Sequence, residues 1–247
     1  MLQGFYSAAS GMLQQQRHLN VIANNLANVQ TSGFKVNRLV STTFEQELLT
    51  RVERNNTGGI GTGEPIRIVD EVADLWRTGG YTETFRVFDM AITGYGFFNV
   101  QAANGNTYLT RNGQFALDEE GYLELRGQGR VLGVGNQPIR LNVDDITVDE
   151  FGNITNSETG AAIGQLLISA PVEGTDIEEQ RNGMYTAGQV EVVAEPGVVQ
   201  GAYENSNVDM SEELQALIMA QRNFSSASQA LQFIDATYAK AVNIAAL

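Results

Sequence analysis

The residues that could bind a ligand include a glycine cluster at Gly127, Gly129 and Gly133. Glycine-rich loops bind phosphate when a helix follows them and points its N-terminal backbone N–H groups at the anion. This cluster lacks the dinucleotide-binding spacing, and residues 137–139 (QPI) follow it in place of a helix. We therefore predict a β-turn region here. A second glycine run at residues 58–63 has no Lys-Ser or Lys-Thr after it and is predicted to be a flexible joint.

Four neighbouring carboxylates, Asp144, Asp145, Asp149 and Glu150, could act as general acid and base or bind calcium. Neither the spacing of a calcium loop nor an accompanying basic or nucleophilic motif is present. Solvated turns are the better interpretation of this group.

The composition excludes most other catalytic sites. The chain has no cysteine, and its one histidine, His18, cannot form a multi-histidine metal site. The formal charge of -14 opposes binding to nucleic acid or to an anionic membrane surface. We therefore expect no catalytic residue, no metal and no cofactor. Trp76, the single tryptophan, is interpreted as a packing anchor.

Glycine and proline divide the 247 residues into three parts. Of the 26 glycines, 23 lie between residues 46 and 208, and so do all four prolines. Because both residue types break helices, the two ends of the chain are free to be helical. Residues 1–44 carry a net charge of +3 and residues 209–247 carry -2, so the acidity belongs to the middle of the chain.

Both ends contain an apolar stripe with alternating steps of three and four residues, which is typical of a coiled coil. Asp209 or Ser211 is expected to cap the C-terminal helix, with Glu212 and Glu213 in its first turn. The N-terminal stripe is Phe5, Ala8, Met12, Gln15, Leu19, Ile22, Leu26 and Val29, and the C-terminal stripe is Leu217, Ala220, Phe224, Ala227, Leu231, Ile234, Tyr238, Ala241 and Ala245.

Two arrangements of these helices are open. They could pack on the central region as ordinary amphipathic helices, or they could pair with other helices. The stripes are narrow, alanine recurs in the C-terminal one, and short polar residues make the N-terminal helix marginal on its own. These features favour helices that become ordered on assembly.

The middle of the chain reads as β structure, with short β-prone runs bounded by Gly, Asn or Asp. Residues 115–125 predict a hairpin with its turn at residues 118–121. The predicted fold class is α+β, with a discontinuous coiled-coil region of N- and C-terminal helices and a central all-β domain. We assign residues 1–35 and 209–247 to paired helices, 36–80 and 195–208 to extended connectors, and 81–194 to the β domain. The predicted β-prone runs are residues 85–88, 96–100, 122–125, 139–143, 165–168 and 190–193.

Several segments resemble the flagellar basal-body rod and hook family. Residues 23–35 (ANNLANVQTSGFK) closely resemble its N-terminal signature, and residues 204–209 (ENSNVD) with 221–224 (QRNF) resemble its C-terminal signature. Residues 89–98 and 108–115 resemble the start of its β domain. Tyr203 departs from the leucine common in the family at that position.

The resemblance implies a structural axial subunit of the rod that polymerises through its terminal helices, transmits torque and is not an enzyme. It implies other copies, other rod and hook proteins and the flagellar type III export apparatus as partners. The expected location is the basal body. No segment approaches the roughly 18 apolar residues of a membrane span, and no signal peptide is evident, so we expect export without a cleaved signal and no membrane insertion.

Two alternatives stay open: a hook-like or junction axial protein, and a secreted β-domain enzyme or binding module that its termini oligomerise. The residues expected at subunit interfaces are Phe5, Met12, Leu19, Ile22, Leu26, Asn28, Gly33, Phe34, Asn207, Val208, Leu217, Phe224, Leu231, Ile234 and Tyr238.

Overall fold

The computed structural model describes residues 2–43, 48–53, 56–62, 67–74, 76–141, 143, 145–172, 174–175, 177–181 and 183–245. The chain divides into two compact units. The helical unit comprises Met1–Ala27, Asn37–Leu75 and Asp209–Leu247, and the β unit comprises Asn28–Val36 and Trp76–Val208. The structure thus groups Asn28–Val36 with the β unit, whereas the sequence placed residues 1–35 with the helices.

The helical unit contains α1 (Leu2–Ala27) and α2 (Met210–Ala245), which pack against each other. The α1 helix ends just before Asn28, a residue type that favours turns over helix interiors. Asp209 caps α2, because its Oδ1 accepts hydrogen bonds from the backbone N–H groups of Ser211 (2.8 Å) and Glu212 (3.2 Å). Neither helix in the described part of the chain is long and apolar enough to cross a membrane.

Four strands follow α1 within the helical unit, where the sequence predicted an extended connector at residues 36–80. The strands are β1 (Asn37–Thr43), β2 (Leu48–Glu53), β3 (Asn56–Thr62) and β4 (Arg67–Asp74). The pairs β1 with β4 and β2 with β3 are antiparallel. The glycine run was predicted to be a flexible joint because glycine weakens strands, but Gly58 and Gly59 pair with Arg51 and Thr50.

The β unit carries the remaining strands of the described residues, all paired antiparallel. They are β5 (Tyr81–Glu83), β6 (Met90–Ile92), β7 (Phe97–Gln101), β8 (Thr107–Thr110), β9 (Phe115–Leu117), β10 (Leu123–Leu125), β11 (Gly129–Gly133), β12 (Gln137–Pro138), β13 (Ile146–Val148), β14 (Asn153–Asn156), β15 (Ala162–Gln165), β16 (Ile168–Pro171), β17 (Ile177–Arg181), β18 (Met184–Ala187), β19 (Val190–Val192), β20 (Val198–Gln200) and β21 (Ala202–Glu204).

The largest sheet runs in the order β17-β18-β8-β7-β11-β10-β9, with β12 on β11, β16 on β7 and β19 on β16. A second sheet has the order β13-β14-β15. Two short ladders, β20 with β6 and β21 with β5, bring the return path of the chain back to the start of the unit. Residues 195–208 therefore contain paired strands, where an extended connector was predicted.

The buried apolar residues of the β unit form three clusters, of which that around Phe98 and Phe115 has the most members. Phe98 of β7 and Phe115 of β9 meet edge to face, with ring centroids 5.0 Å apart, among buried residues such as Leu123 and Ile154. Trp76 packs against Tyr185, with ring centroids 4.9 Å apart, so its predicted role as a packing anchor is confirmed.

The hairpin predicted at residues 115–125 is confirmed by the pairing of β9 with β10. Asp118 Oδ1 accepts hydrogen bonds from the N–H groups of Glu120 and Tyr122, and Gly121 has a φ of 83°. The strand predicted at residues 85–88 was wrong. Phe85 has a φ of 56° and is 87% exposed, since the chain turns there to bond Gly201.

Two further predicted runs differ from the observed strands. Residues 165–168 span the end of β15 and the start of β16, with Leu166 and Leu167 between them. Leu166 forms a bridge to Gly133 and the Leu167 N–H donates to the Leu132 carbonyl, so the chain crosses between sheets at this point. In residues 139–143 the described part forms only one bridge, Arg140 to Tyr122.

Candidate functional site

The predicted stripes meet where α1 and α2 pack in the helical unit. On α1, Ile22 is buried and Met12, Leu19 and Leu26 are half-buried, whereas Phe5 in the first helical turn is 42% exposed. The predicted residues of α2 are all half-buried and keep the alternating spacing around the buried Ala220; they are Leu217, Phe224, Leu231, Ile234 and Tyr238. Contacts of these residues with other copies stay a prediction.

The other predicted interface residues lie together in the β unit. Phe34 is fully buried and packs with Val36 and Val208, and Val29 covers this cluster. The N–H of Asn207 donates to the Phe34 carbonyl (3.3 Å), and its side-chain oxygen accepts from the Val36 N–H (2.7 Å). These residues therefore serve the packing of the β unit itself, and any contact with another copy stays a prediction.

Gly33 fits this place because glycine adopts a positive φ without the steric cost that a Cβ atom brings. Its φ is 71°, and its N–H donates to the carbonyl of Glu204 (2.8 Å). A Cβ atom at this position would lie 2.3 Å from the carbonyl carbon of Arg111. Asn28, the residue directly after the end of α1, lies on the same segment as Gly33 and is buried as well.

A buried ion cluster centred on Glu204 fixes these segments. The carboxylate of Glu204 is fully buried, and its Oε1 accepts from Lys35 Nζ (2.5 Å) and from the Gly79 N–H (2.9 Å). Its Oε2 lies 3.5 Å from Arg111 Nη1. Lys35 also donates to the Arg77 carbonyl (3.0 Å), so one carboxylate ties together residues 28–36, 76–79, 111 and 204–208. We call this set the Glu204 cluster.

Both cations of the Glu204 cluster are costly to bury. Burial lowers the pKa of the Lys35 amine, against the raising effect of Glu204, and the charge of Arg111 lowers it further. Burial also lowers the pKa of the Arg111 guanidinium, while Glu204 raises it. Arg111 is held by the carbonyls of Ile92 (2.9 Å) and Gly94 (2.8 Å). Without the carboxylate, both cations would keep the desolvation cost and lose the compensating charge.

A second polar cluster ties segment ends within the helical unit. The buried amide of Asn25 donates to the Asn37 carbonyl (2.9 Å) and accepts from the Asn37 N–H (2.9 Å). Its Nδ2 also lies 3.3 Å from Glu213 Oε2. Arg38 pairs with Glu213 and with Glu212, at 3.0 Å in each case. The end of α1, the start of β1 and the start of α2 are thereby joined.

Of the residues considered as catalytic or ligand-binding candidates, those that the structure describes have local structural roles. Asp149 Oδ1 accepts from the N–H groups of Phe151 (3.0 Å) and Asn153 (2.8 Å), which is a turn, as the sequence predicted. Asp144 lies outside the described residues. Gly127 has a φ of 70° in a turn just before β11, but Gly129 and Gly133 begin and end that strand, so the predicted turn region is confirmed only at Gly127. His18 is half-buried on α1.

The sequence analysis did not predict the Glu204 cluster or the polar cluster around Asn25. Lys35, Arg111 and Glu204 all lie inside the motifs that carry the family resemblance, but no role was assigned to them. The signal that could have found them is their charge, because Lys35 and Arg111 are the only charged residues of their motifs and Glu204 is one of two in residues 204–209.

These features define a protein whose two ends pair as helices and whose signature segments are built into a β body. The sequence matches the family models described as flagella basal body rod protein (residues 5–35), flagellar hook protein FlgE/F/G D1 domain (91–160) and flagellar basal body rod FlgEFG protein C-terminal (199–244).

Three similar relatives are matched over most of their lengths. The chain is 31% identical to the flagellar basal-body rod protein FlgG of Agrobacterium fabrum, covering 92% of this chain and 94% of the relative. It is 30% identical to the FlgF rod protein of Caulobacter vibrioides (93% and 92%) and 29% identical to FlgG of Bacillus subtilis (99% and 99%). The chain therefore belongs to the family of flagellar basal-body rod proteins.

The Glu204 cluster predicts a large difference between two Glu→Gln variants. Glu204→Gln keeps the side-chain shape but leaves Lys35 buried without its carboxylate, so we expect a loss of about 3–5 kcal/mol in the free energy of unfolding. Glu212→Gln removes an exposed ion pair and is the matched control, with an expected loss of at most about 1 kcal/mol. Denaturant unfolding measures both, and equal losses would contradict the assigned role of Glu204.

Gly33 offers a second test against a matched glycine. Gly33 and Gly127 have nearly the same φ, 71° and 70°, but a Cβ at Gly127 would meet nothing within 4 Å. Gly127→Ala should therefore cost only the conformational strain, about 1–2 kcal/mol. Gly33→Ala should cost clearly more, because the backbone of Arg111 must move. Thermal unfolding compares the two variants, and a similar melting temperature for both would show that the tight contact is unimportant.

Proposed function

We propose that this chain is an axial structural subunit of the flagellar basal-body rod, which polymerises through α1 and α2 and transmits torque through the packed helices. Its relatives are named as rod proteins, and the matched segments include both signature ends. The proposal includes a structural role without catalysis, and a location in the basal body after export through the flagellar type III apparatus without a cleaved signal.

The observation that carries this proposal is the apolar surface that α2 keeps after it has packed on α1. Leu214 is 42%, Ile218 51%, Met219 65% and Phe233 73% exposed. Leu214, Ile218 and Met219 lie within about two turns of each other on α2, and exposed apolar side chains grouped in this way are typical of an interaction surface. Burial of these side chains by neighbouring copies would supply the hydrophobic free energy that polymerisation requires.

The two helices at the ends of the chain differ in sequence, which also supports an open polymer. A contact between two different patches of identical chains repeats indefinitely unless its rotation closes a ring. The helices within residues 1–35 and 209–247 are the proposed polymerisation core, and residues 81–194 are not part of it. Other copies and other rod and hook proteins are the proposed partners, and neither nucleic acid nor membrane insertion is part of the proposal.

Removal of α1 tests the proposal against a β-domain enzyme or binding module. A deletion of residues 2–27 keeps Asn28–Val36, which the β unit needs. Produced in the encoding bacterium in place of the full chain, the truncated chain should be absent from purified basal bodies and the cells should be non-motile. Immunoblots and a swimming assay measure these outcomes, and circular dichroism of the purified chain checks that the β unit is folded.

A matched pair of substitutions on α2 provides the control. Leu231→Glu places a charge on the half-buried stripe, whereas Gln229→Glu places the same charge on an exposed position two residues away. Only Leu231→Glu should block incorporation. Basal bodies that contain the truncated chain at the level of the full chain would contradict the proposed function.

A further inference from the structure

A strained and exposed aromatic residue lies in the turn between β5 and β6. Phe85 has a φ of 56°, a left-handed conformation that a bulky side chain rarely adopts, and its side chain is 87% exposed. The turn itself depends on the backbone, since the N–H groups of Thr84 and Phe85 both donate to the Gly201 carbonyl. Glycine would make this turn without strain, so the phenyl ring is not explained by the fold of the single chain.

A groove of about 620 Å³ lies on the outer face of the largest sheet, and this volume is within the roughly 300–1,000 Å³ of ordinary ligand sites. Arg130 of β11 pairs with Gln101 of β7 and with Glu124 of β10, and all three line the groove. Their neighbours in sequence belong to the apolar core, so these three side chains point to the opposite face of the sheet. We call this site the Glu124 groove, and its lining also includes Ala102, Ala103, Asp118, Gln128 and Pro138.

The Glu124 groove contains two acceptors that lack a donor among the described residues. Glu124 is half-buried and forms no ion pair there, since its cross-strand neighbour Arg130 pairs instead with Asp118 and Glu120, at 2.7 Å in each case. The Oε1 atom of Gln128 is buried and accepts no hydrogen bond from that part of the chain. A carboxylate beside an amide oxygen favours a cationic donor as the occupant.

The chain itself carries an exposed cation beside the exposed ring. Arg86 is 59% exposed, and its ion pair with Asp89 is long, at 3.9 Å. The guanidinium of Arg86 matches the acidic side of the groove, and the ring of Phe85 matches its apolar side chains at Ala102, Ala103 and Pro138.

The combination of ring and cation distinguishes Arg86 from the other exposed arginines. Arg77 also follows an aromatic residue, but that residue, Trp76, packs against Tyr185 and is only 39% exposed. Neither Phe85 nor Arg86 lines the groove of its own chain. A turn and a groove that match each other but are not joined within one chain are suited to a contact between copies.

We infer that the turn at Phe85 and Arg86 docks into the Glu124 groove of a second copy of this chain. The ring covers the apolar wall, and the guanidinium bonds Glu124 and Gln128 Oε1. The contact joins different patches of identical chains, so it repeats along a polymer. This inference rests on the proposed function, because it requires neighbouring copies in one rod. It goes beyond that function by assigning a second contact to the β units, separate from the helices.

Phe85→Gly separates a docking role from a structural one. The substitution relieves the left-handed strain, so the free energy of unfolding should stay unchanged or rise. The amount of the chain in purified basal bodies should fall about tenfold or more, because a buried aromatic anchor is lost. Asn136→Gly is the matched control, since Asn136 is also exposed with a φ of 60° but does not line the groove, and it should be incorporated normally.

A charge exchange tests the groove as the receptor. Arg86→Glu and Glu124→Arg should each lower incorporation, because like charges then face each other across the contact. The double variant Arg86→Glu/Glu124→Arg should recover most of the loss, since the pair is restored in reverse. Glu191→Arg reverses an exposed carboxylate of β19 outside the groove and should have no effect.

A photocross-linker identifies the occupant in the assembled rod. Irradiated cells with Phe85→p-benzoylphenylalanine should yield a covalent dimer of the chain, joined to a peptide within residues 101–138. Cross-links only to a different protein, normal incorporation of Phe85→Gly, or no recovery in the double variant would overturn the inference and leave the proposed function intact. Absence of the unsubstituted chain from basal bodies would overturn both.

Discussion

Glu204 holds a negative charge away from water, and the β unit compensates this charge from several segments at once. Lys35 comes from the segment that follows α1, Arg111 comes from the residue after β8, and the Gly79 N–H comes from the segment before β5. A buried carboxylate that loses such partners is strongly destabilising. The segments that carry both family signatures must therefore be in place together before the carboxylate is satisfied.

This requirement gives the signature segments a structural role inside the β unit. Phe34, Val36 and Val208 are packed on one another, and Gly33 approaches the backbone of Arg111 too closely for any side chain. In the helical unit, the side-chain amide of Asn25 makes two hydrogen bonds with the backbone of Asn37. Each unit thus fixes the ends of its own segments, which leaves the exposed faces of α1 and α2 available for neighbouring copies in the proposed rod.

Much of the fold could be predicted because its causes are local in sequence. The stripes of α1 and α2, the Asp209 cap and the hairpin turn at Asp118 all follow from residues within one or two turns of each other.

The Lys35–Glu204 pair could not be predicted this way, since 169 residues separate its partners. The strands within residues 36–80 were missed because Gly58 and Gly59 read as a joint, although their backbones pair with Arg51 and Thr50. Of the candidate site, the apolar helix positions were predictable, whereas the polar clusters depend on tertiary proximity.

Hydrogen exchange of the isolated full-length chain tests the central role of the Glu204 cluster most directly. If the cluster builds residues 28–36 into the β unit, the amides of Gly33 and Val36, which donate to Glu204 and Asn207, should be protected to the same degree as the core strand β7. Amides of α1 and α2 should exchange much faster in the solitary chain. Exchange of Gly33 and Val36 as fast as that of α1 would contradict the account.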